Sequence, residues 1–275
     1  MLNYIIKKLR NFKRYIIPKP IIKSNNDLFE ELFYDQFLKN PNILDEYLCN
    51  LYNVDHEIKF FSFRKFFKLP NTFNQYLDNI KKFYPEFKII EDDQVIDIGA
   101  HHGITTVNLA KLGAKVYSFE PNPMSFAILE KNIQINNFKH KPDLYNLAAS
   151  SNYSNNEIFD IGVRSTAGSI MDLQDKELLS GKKIKVSTLN FSDYLSKLNS
   201  HRIKLIKMDC EGSEYSIFNK MKDFNNIDYF IVEAHKTKNG RPEDLIKIII
   251  SKGYDVHQVN ANYGAVELYC KKQFS

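Results

Sequence analysis

The chain has few cysteines and no long apolar run, and each shortage excludes a class of protein. The cysteines among its 275 residues are Cys49, Cys210 and Cys270, which lie far apart and form no CxxC pair. An odd number of isolated cysteines supports neither a disulfide framework nor a cysteine zinc site, so we expect a reducing, cytoplasmic environment. No apolar stretch approaches the roughly 18 residues that a membrane-spanning helix needs.

The excess of positive charge is small. Hydrophobic residues make up 43% of the chain, and the formal net charge is +5. This length and composition suffice for one large core, or for one core plus a smaller helical unit. Much of the positive charge falls in residues 1–23, so the composition does not indicate a nucleic-acid-binding protein.

Residues 1–23 combine lysine and arginine with apolar side chains at helical spacing. The apolar positions are Leu2, Ile5, Leu9, Phe12 and Ile16. The segment is not a signal peptide, because no continuous apolar stretch follows the charges. We favour a helix that packs on its own domain with a solvated basic face. The alternative is peripheral contact of this segment with an anionic membrane or a polyanionic substrate.

Residues 27–84 show a strongly aromatic helical pattern. Phenylalanine recurs every fourth residue from Phe29 to Phe37, and similar spacing continues through Leu51 and Phe60. This spacing predicts three or four short helices, whose aromatic stripes more often form core than binding surface. The alternative role is a cap that covers a binding site of the domain that follows and shapes its pocket.

After residue 90, strands alternate with helices, as a doubly wound α/β sheet requires. The predicted strands are 94–99, 115–120, 142–148, 204–209, 228–234, 253–259 and 265–272. The predicted helices are 103–112, 123–137, 190–199, 214–222 and 242–252. We therefore divide the chain into an N-terminal helical region, 1–90, and an α/β domain, 91–275.

Two parts of the α/β domain depart from simple alternation. The last two predicted strands follow one another through a turn near 262–264, which predicts an antiparallel hairpin at the sheet edge. Residues 150–187 interrupt the alternation and predict an extra hairpin, with 157–162 as one of its strands.

The sequence VIDIGAHHG, residues 95–103, predicts a strand that opens into a glycine-bearing turn. Gly99 and Gly103 allow a sharp turn and a close approach of the backbone to a ligand. Glu120 ends the next strand about 20 residues later, where a carboxylate can accept two hydrogen bonds from a ribose diol. This layout is typical of a nucleoside-cofactor site.

The residues of the turn indicate which nucleoside cofactor it binds. The turn reads Gly-Ala-His-His-Gly and lacks the third glycine of a dinucleotide loop. Asp97, at the end of the strand, would repel a pyrophosphate but suits a cofactor that carries an amino group and a sulfonium. We therefore predict S-adenosylmethionine.

Four sequence blocks carry a specific resemblance to one family. They are DIGAHHG at 97–103, FEPNP at 119–123, KMDCEGSE at 207–214 and VEAH at 232–235. With these blocks, the chain from about residue 94 onward resembles the FkbM family of S-adenosylmethionine-dependent methyltransferases; His101 stands where an asparagine is typical. The resemblance implies the class I methyltransferase fold, with a seven-stranded, mostly parallel sheet. It also implies O-methylation of a hydroxyl on a sugar, a glycan or a small metabolite.

The predicted cofactor-binding residues lie at the carboxyl ends of the first three strands of the α/β domain. They are Asp97, Gly99, Ala100, His101, Gly103, Glu120, Pro121, Asn122, Leu147 and Ala148. We assign Glu120 to the ribose hydroxyls, and Asp97 to the methionine amine or to the turn itself. Leu147 and Ala148 are expected to flank the adenine.

Asp209, Glu233 and His235 are the predicted catalytic residues. They lie at or next to the ends of predicted strands, and the carboxyl ends of parallel strands meet at one edge of a sheet. Glu233 and His235 are two residues apart, so their side chains point to the same face. Asp209 or His235 would remove the proton of an acceptor hydroxyl, with Glu233 orienting the histidine. The alternative is that these three side chains bind a divalent metal.

Glu211 and Glu214 precede or begin the next predicted helix. Acidic side chains at this place can cap a helix and complement its dipole. For Glu214 we favour this capping role, whereas for Glu211 capping and a role in the site are equally supported.

Two other functions stay open. A short-chain oxidoreductase has a similar GxxxG turn, but it needs a Tyr-x-x-x-Lys pair downstream of the turn. The pairs in this chain, such as Tyr4 with Lys8 and Tyr84 with Lys88, lie upstream. A binding module without chemistry is the other alternative, and the presence of Asp209, Glu233 and His235 argues against it.

Overall fold

The computed structural model describes residues 39–40, 51–53, 59–61, 69–161, 169, 183–198, 202–222, 224–238, 240–260 and 265–273. The strands are β1 Leu51–Asn53, β2 Lys59–Phe61, β3 Gln94–Ile98, β4 Lys115–Phe119, β5 Asp143–Tyr145, β6 Ala148–Ser150, β7 Ser154–Asp160, β8 Lys183–Asn190, β9 Ile203–Met208, β10 Ile227–Ala234, β11 Tyr254–Asn260 and β12 Val266–Lys272. The helices are α1 Leu69–Phe83, α2 Ile104–Lys111, α3 Pro123–Gln134, α4 Phe191–Lys197, α5 Glu214–Lys220 and α6 Pro242–Ser251. The basic segment at 1–23 lies outside the described residues.

Seven strands form the main sheet, in the order β11–β12–β10–β9–β3–β4–β5. β12 is antiparallel to β10 and β11, and the other neighbouring pairs are parallel. The chain adds β4 and β5 on one side of β3, then crosses over and adds β9 and β10 on the other side. The strand order therefore reverses between β3 and β9, where ligands of such sheets bind beyond the carboxyl ends of the strands. The predicted fold class and the edge hairpin are confirmed; the turn at 262–264 lies outside the described residues.

The strands at this reversal are covered on both faces. Val95, Ile96, Asp97 and Ile98 of β3 are all buried, and β9 is buried almost throughout. Continuous apolar strands of this kind are typical of parallel sheets with helices on both sides. Asp97 is the charged residue of β3, and its buried carboxylate lies in the centre of the sheet.

Helices form a layer on each face of the sheet. α1 and α2 cover one face, with a core that includes Ile80, Val95, Leu109, Leu205 and Tyr269. α4, α5 and α6 cover the other face, with a core that includes Ile206, Phe218, Phe230, Leu245 and Tyr254. Alternate residues of β9 thus face opposite layers, which places Lys207 on the α1 side together with Leu205.

The predicted strand at 142–148 is wrong as a single element. β5 pairs with β4 in the main sheet, whereas β6 pairs with β8 in a separate three-stranded sheet of order β6–β8–β7. Asn146 lies between the two strands, and its side-chain amide donates to the backbone oxygen of Glu120 at 2.8 Å. Such a side-chain-to-backbone bond competes with strand pairing and ends the strand here. The extra hairpin predicted in 150–187 is confirmed by the antiparallel pairing of β7 with β8, with β7 three residues earlier than expected.

The helical prediction for 27–84 is correct at 69–83 and wrong at 51–53 and 59–61, and most of the remainder of 27–68 lies outside the described residues. α1 is a helix, but β1 and β2 form an antiparallel pair. Over a short aromatic run, helical spacing does not separate helix from strand, and aromatic side chains favour strands. Among the residues described here, no helix combines the length and the apolar character that crossing a membrane requires.

Candidate active site

The turn after β3 packs directly against the end of β9. Gly99 has a φ of +75°, and a Cβ at this position would lie 1.8 Å from the backbone oxygen of Asp209. The backbone N–H of Asp209 donates to the oxygen of Ile98 at 3.0 Å. Glycine is required because a side chain is excluded by both the left-handed backbone and the close neighbour. The predicted cofactor turn and Asp209 are therefore held side by side.

Glu120 closes the same turn from the end of β4. One carboxylate oxygen accepts from the N–H of His101 at 2.8 Å, and the other accepts from the N–H of Asn122 at 2.8 Å. Burial raises the pKa of Glu120 to about 7, although these two hydrogen bonds act to lower it. Each oxygen keeps a further lone pair for a ligand hydroxyl, which is the geometry expected of a ribose acceptor.

Asp97 lies beneath the turn. Its side chain is fully buried, and one oxygen accepts from the Thr106 hydroxyl at 2.7 Å. The other oxygen lies 3.7 Å from Nζ of Lys207. Burial raises the pKa of Asp97, and Lys207 offsets part of that rise. This position agrees with a role at the turn and gives Asp97 no direct contact with the cavity described below.

Lys207 is a site residue to which the sequence reasoning gave no role. Its buried ammonium donates to the backbone oxygen of Gly99 at 3.1 Å and lies 3.6 Å from Asp209. Burial opposes its charge, but Asp209 and Asp97 outweigh burial and raise the pKa of Lys207. It is the cation that allows Asp97 and Asp209 to lie close together. The sequence feature that could have identified Lys207 is its two-residue spacing from Asp209, because this spacing places both side chains on one face of the strand.

A cavity extends over the carboxyl ends of β3, β4 and β9, and the space between its lining residues, with the open mouth included, is about 610 Å³. The lining residues are Ile98, Gly99, His101, Phe119, Glu120, Pro121, Ala148, Ala149, Phe159, Asp209, Cys210, Glu211 and Ser213. Glu120 and Asp209 are thus parts of one cavity wall.

Several predicted cofactor residues support this wall without lining it. They are Asp97, Ala100, Gly103, Asn122 and Leu147. Asn122 instead caps α3, because its side chain accepts from the backbone N–H groups of Met124 and Ser125. Phe159, from the inserted strand β7, lines the cavity and had no signal in the sequence. Cys210 and Glu211 also line it, and they belong to a family block that the sequence reasoning had identified.

His235 lies at the centre of a group of carboxylates beside the cavity. Its Nδ1 lies 3.3 Å from Glu214, which is fully buried. Its Nε2 lies 3.2 Å from Glu211 and 3.7 Å from Glu233. Glu214 also accepts from the N–H of Cys210 at 3.2 Å, so it positions His235 and the turn rather than capping α5 with a free carboxylate.

The charges of His235 and of the carboxylates around it act strongly on one another. Burial, together with the neighbouring carboxylates, raises the pKa of Glu211 to about 8. The charge of Asp209 and burial raise the pKa of Glu233 to about 8. Burial alone would lower the pKa of His235, but Glu211 and Glu214 outweigh it and raise that pKa well above its usual range. The group can therefore exchange protons near neutral pH, or hold a cation.

The structure brings the three predicted catalytic residues together. One ligand atom from each of Asp209, Glu233 and His235 lies within 4.8 Å of the others. Asp209 lines the cavity, whereas Glu233 and His235 are not among its lining residues. Glu267 is the cross-strand neighbour of Glu233 and accepts from the Tyr269 hydroxyl at 2.5 Å. Acidic side chains are therefore concentrated at this edge.

The chain belongs to the family of the methyltransferase FkbM domain, whose profile matches residues 97–256. The match begins at Asp97 and includes the turn, Glu120 and the Asp209–Glu233–His235 group. Family membership makes the chain a methyltransferase by class and favours methyl transfer over the hydride transfer of an oxidoreductase.

A curated relative is the hexuronic acid methyltransferase AglP of Haloferax volcanii. It is 24% identical over 160 residues, which cover 58% of this chain and 62% of that protein. The chain thus matches less than two thirds of that relative's length. Among solved structures, magnesium protoporphyrin IX methyltransferase (ChlM) of Synechocystis PCC 6803 is 9% identical with a TM-score of 0.44, covering 92% of this chain and 100% of that one. TYW2 of Pyrococcus horikoshii is 16% identical with a TM-score of 0.43, covering 82% and 73%.

Proposed function

We propose that this methyltransferase binds S-adenosylmethionine in the cavity over β3, β4 and β9 and methylates a hydroxyl of a sugar, a glycan or a small metabolite. The observation that carries the proposal is the continuity of the cavity wall from Glu120 to Asp209. One end offers a buried carboxylate to a ribose diol, and the other offers carboxylates to an acceptor.

The donor set fits this cofactor. The absence of a Cβ at Gly99 lets the turn pack directly against the end of β9, so that the turn and Asp209 lie side by side in the cavity wall. Glu120 presents oxygens whose existing partners are two backbone N–H groups. When bound, S-adenosylmethionine supplies an electrophilic methyl on a positively charged sulfur, which a site rich in carboxylates stabilises.

The acceptor end must position a hydroxyl and receive its proton. The group formed by Asp209, Glu233 and His235 reaches the cavity through Asp209, and it includes Glu233, whose pKa is raised to about 8 by the charge of Asp209 and by burial. As the new O–C bond forms, the O–H bond breaks and its proton passes to this group, with Asp209 or His235 as the receiving side chain. Alignment of the two substrates supplies much of the rate in such a displacement.

The choice of a sugar acceptor rests on the family and on one relative. The FkbM resemblance implies oxygen acceptors, and AglP is named for hexuronic acid. A carboxylate-lined site also suits a hydroxyl, because a hydroxyl needs a proton acceptor whereas an amide-like nitrogen needs a planar clamp.

The test has a binding arm and a transfer arm. Calorimetry with S-adenosylhomocysteine should show binding, and Glu120→Ala should lose about 2 to 4 kcal/mol of binding free energy, because hydrogen bonds to a charged acceptor disappear.

Labelled S-adenosylmethionine should transfer its methyl to one member of a panel of uronic acids, hexoses and their glycosides. Asp209→Asn should lower turnover about a hundredfold with little change in cofactor affinity. Asp255→Asn, at an exposed position on β11, is the control. Unchanged affinity in Glu120→Ala, or full turnover in Asp209→Asn, contradicts the assignment.

A further inference from the structure

We propose that Asp209, Glu233 and His235 hold a divalent cation, and that this cation binds two adjacent oxygens of the acceptor. The ion site stands on the geometry of the chain. The acceptor part rests on the proposed function and narrows the substrate class to a vicinal diol, or to a hydroxyl beside a carboxylate.

The first observation is the set of ligand atoms. Two carboxylate oxygens and one imidazole nitrogen lie within 4.8 Å of one another. Divalent cations bind carboxylate oxygen and imidazole nitrogen at about 2.0 to 2.6 Å, so an ion between such atoms needs only small side-chain rotations. Carboxylates with one imidazole suit Mn²⁺ or Mg²⁺ better than a thiolate-seeking metal.

The second observation is how His235 is held. Its Nδ1 lies against a carboxylate oxygen of Glu214, which has no exposed surface. Histidine ligands in metal sites characteristically donate one ring N–H to a buried carboxylate, which leaves the other nitrogen to bind the metal. Here the other nitrogen, Nε2, faces Glu211 and Glu233. The buried Oε2 of Glu211 lies 3.2 Å from Nε2 and, within the described structure, accepts no hydrogen bond.

The third observation is the balance of charge. Asp97, Asp209, Glu211, Glu214 and Glu233 supply up to five negative charges, and among the described residues Lys207 and His235 are the cations within 4 Å of them. Lys207 contacts Asp97 and Asp209 and also acts on Glu233 at longer range, whereas His235 contacts Glu211, Glu214 and Glu233. Like charges this close destabilise one another unless a cation intervenes, and a divalent ion supplies the missing charge.

The way in which the ion would bind the acceptor follows from its having three protein ligands, Asp209, Glu233 and His235. A six-coordinate ion held by three side chains keeps open positions for two acceptor oxygens. Binding to the ion lowers the pKa of the acceptor hydroxyl. The O–H bond then breaks and its proton passes to solvent water, while the oxygen bonds to the methyl carbon and the bond from that carbon to sulfur breaks. In this proposal Asp209 and His235 act as ligands and not as the base.

The test measures Mn²⁺ binding to the full-length chain without cofactor or acceptor, by calorimetry and by the loss of free Mn²⁺ signal in electron spin resonance. We expect one saturable site. Glu233→Gln and His235→Ala should weaken it at least tenfold, and Glu214→Gln should weaken it about tenfold through the orientation of His235. The matched control is the double variant Asp255→Asn, His257→Ala, which removes an exposed Asp–His pair 3.3 Å apart on β11 and should leave binding unchanged.

The outcomes separate the ion site from the proposed function. Circular dichroism and S-adenosylhomocysteine affinity establish that each variant is folded, and Glu233→Gln carries the test if His235→Ala does not fold. Binding that is absent at millimolar Mn²⁺, or that survives Glu233→Gln, overturns the site. Methyl transfer that continues in excess chelator overturns the role in acceptor binding while the methyltransferase assignment stands. Mn²⁺ binding as expected, with no methyl transferred to any saccharide, supports the ion site and contradicts the acceptor class.

Discussion

Glu120 is a buried carboxylate of the cavity wall, and under the proposed function its charge should govern how cofactor affinity responds to pH. Its pKa is raised to about 7 by burial, and the ionised form is the better acceptor for ribose hydroxyls. We expect the dissociation constant of S-adenosylhomocysteine to be about tenfold larger at pH 6 than at pH 8, because the ionised fraction of Glu120 is about tenfold smaller at pH 6. Calorimetry at both pH values measures this change.

The stability of the free protein should change in the opposite direction. Because the folded pKa of Glu120 lies above its value in the unfolded chain, its contribution is fully present below about pH 4.5 and is lost as pH rises through about 7. Glu120→Gln should remove both dependences, since an amide does not titrate. A pH-independent dissociation constant in the parent protein would show that the charge of Glu120 does not control binding. An unaltered pH dependence in Glu120→Gln would show that another group titrates.

The buried ammonium of Lys207 is the shared partner of the Asp97 and Asp209 carboxylates at the centre of the sheet. Lys207→Met leaves Asp97 and Asp209 without their shared partner, so we expect a loss of about 3 to 5 kcal/mol in the free energy of unfolding, measured with urea. Lys115→Met is the control, because it removes an exposed ion pair with Asp92 that is worth at most about 1 kcal/mol. The double variant Lys207→Met, Asp97→Asn should recover part of the loss. Equal effects of the two lysine variants would mean that the buried contacts do not stabilise the fold.

At the scale of elements, the turn between β3 and α2 is fixed by a steric requirement. Gly99→Ala adds a Cβ 1.8 Å from the backbone oxygen of Asp209, so we expect loss of cofactor binding and a loss of several kcal/mol in stability. Gly253→Ala is a matched control, since its φ of +81° is similar but its Cβ would meet only Nζ of Lys272 at 3.6 Å. It should cost about 1 kcal/mol, from backbone strain alone. If both variants behave alike, the close approach of β3 and β9 is not what requires glycine.

Most elements of the α/β domain could be predicted because their signals are local. β3, β4, β9 and β10 are largely apolar stretches of strand length. Asn122 and Pro123 mark the start of α3 as its N-cap and first helical residue. The failures occur where tertiary contacts decide. Asn146 ends β5 by bonding to the backbone of Glu120, and Phe159 reaches the cavity only because the inserted hairpin folds over it.

The candidate site was predictable to the same extent and for the same reason. Strand ends identified Glu120, Asp209 and Glu233, since the carboxyl ends of parallel strands share an edge. Sequence spacing could not assign Lys207 to both Asp97 and Asp209, because that contact joins β3 to β9 across 110 residues of chain. The position of Glu214 behind His235 likewise depends on how α5 packs.

At the scale of the whole molecule, the division into residues 1–90 and 91–275 stays a prediction. The FkbM match covers 97–256, so the first ninety residues lie outside it. α1 nevertheless packs on the sheet: Asn79 donates to the Tyr269 hydroxyl at 3.1 Å, and that hydroxyl donates to Glu267 beside Glu233. Helix α1, at the end of the predicted N-terminal region, is therefore connected through Tyr269 to Glu267, the cross-strand neighbour of Glu233.

The remaining question at this scale is what the basic segment at 1–23 does. Its apolar stripe predicts packing on the protein, so deleting residues 1–20 should lower the free energy of unfolding by at least about 2 kcal/mol, the contribution of one or two buried apolar side chains. Leu9→Ala with Phe12→Ala should reproduce much of this loss, whereas Lys7→Gln with Lys8→Gln should not, because a solvated basic face contributes little. Urea unfolding of the four proteins measures the difference. Flotation with anionic vesicles provides the opposing outcome: if the deletion leaves stability unchanged but abolishes vesicle binding, the segment contacts membranes and the packed-helix prediction is wrong.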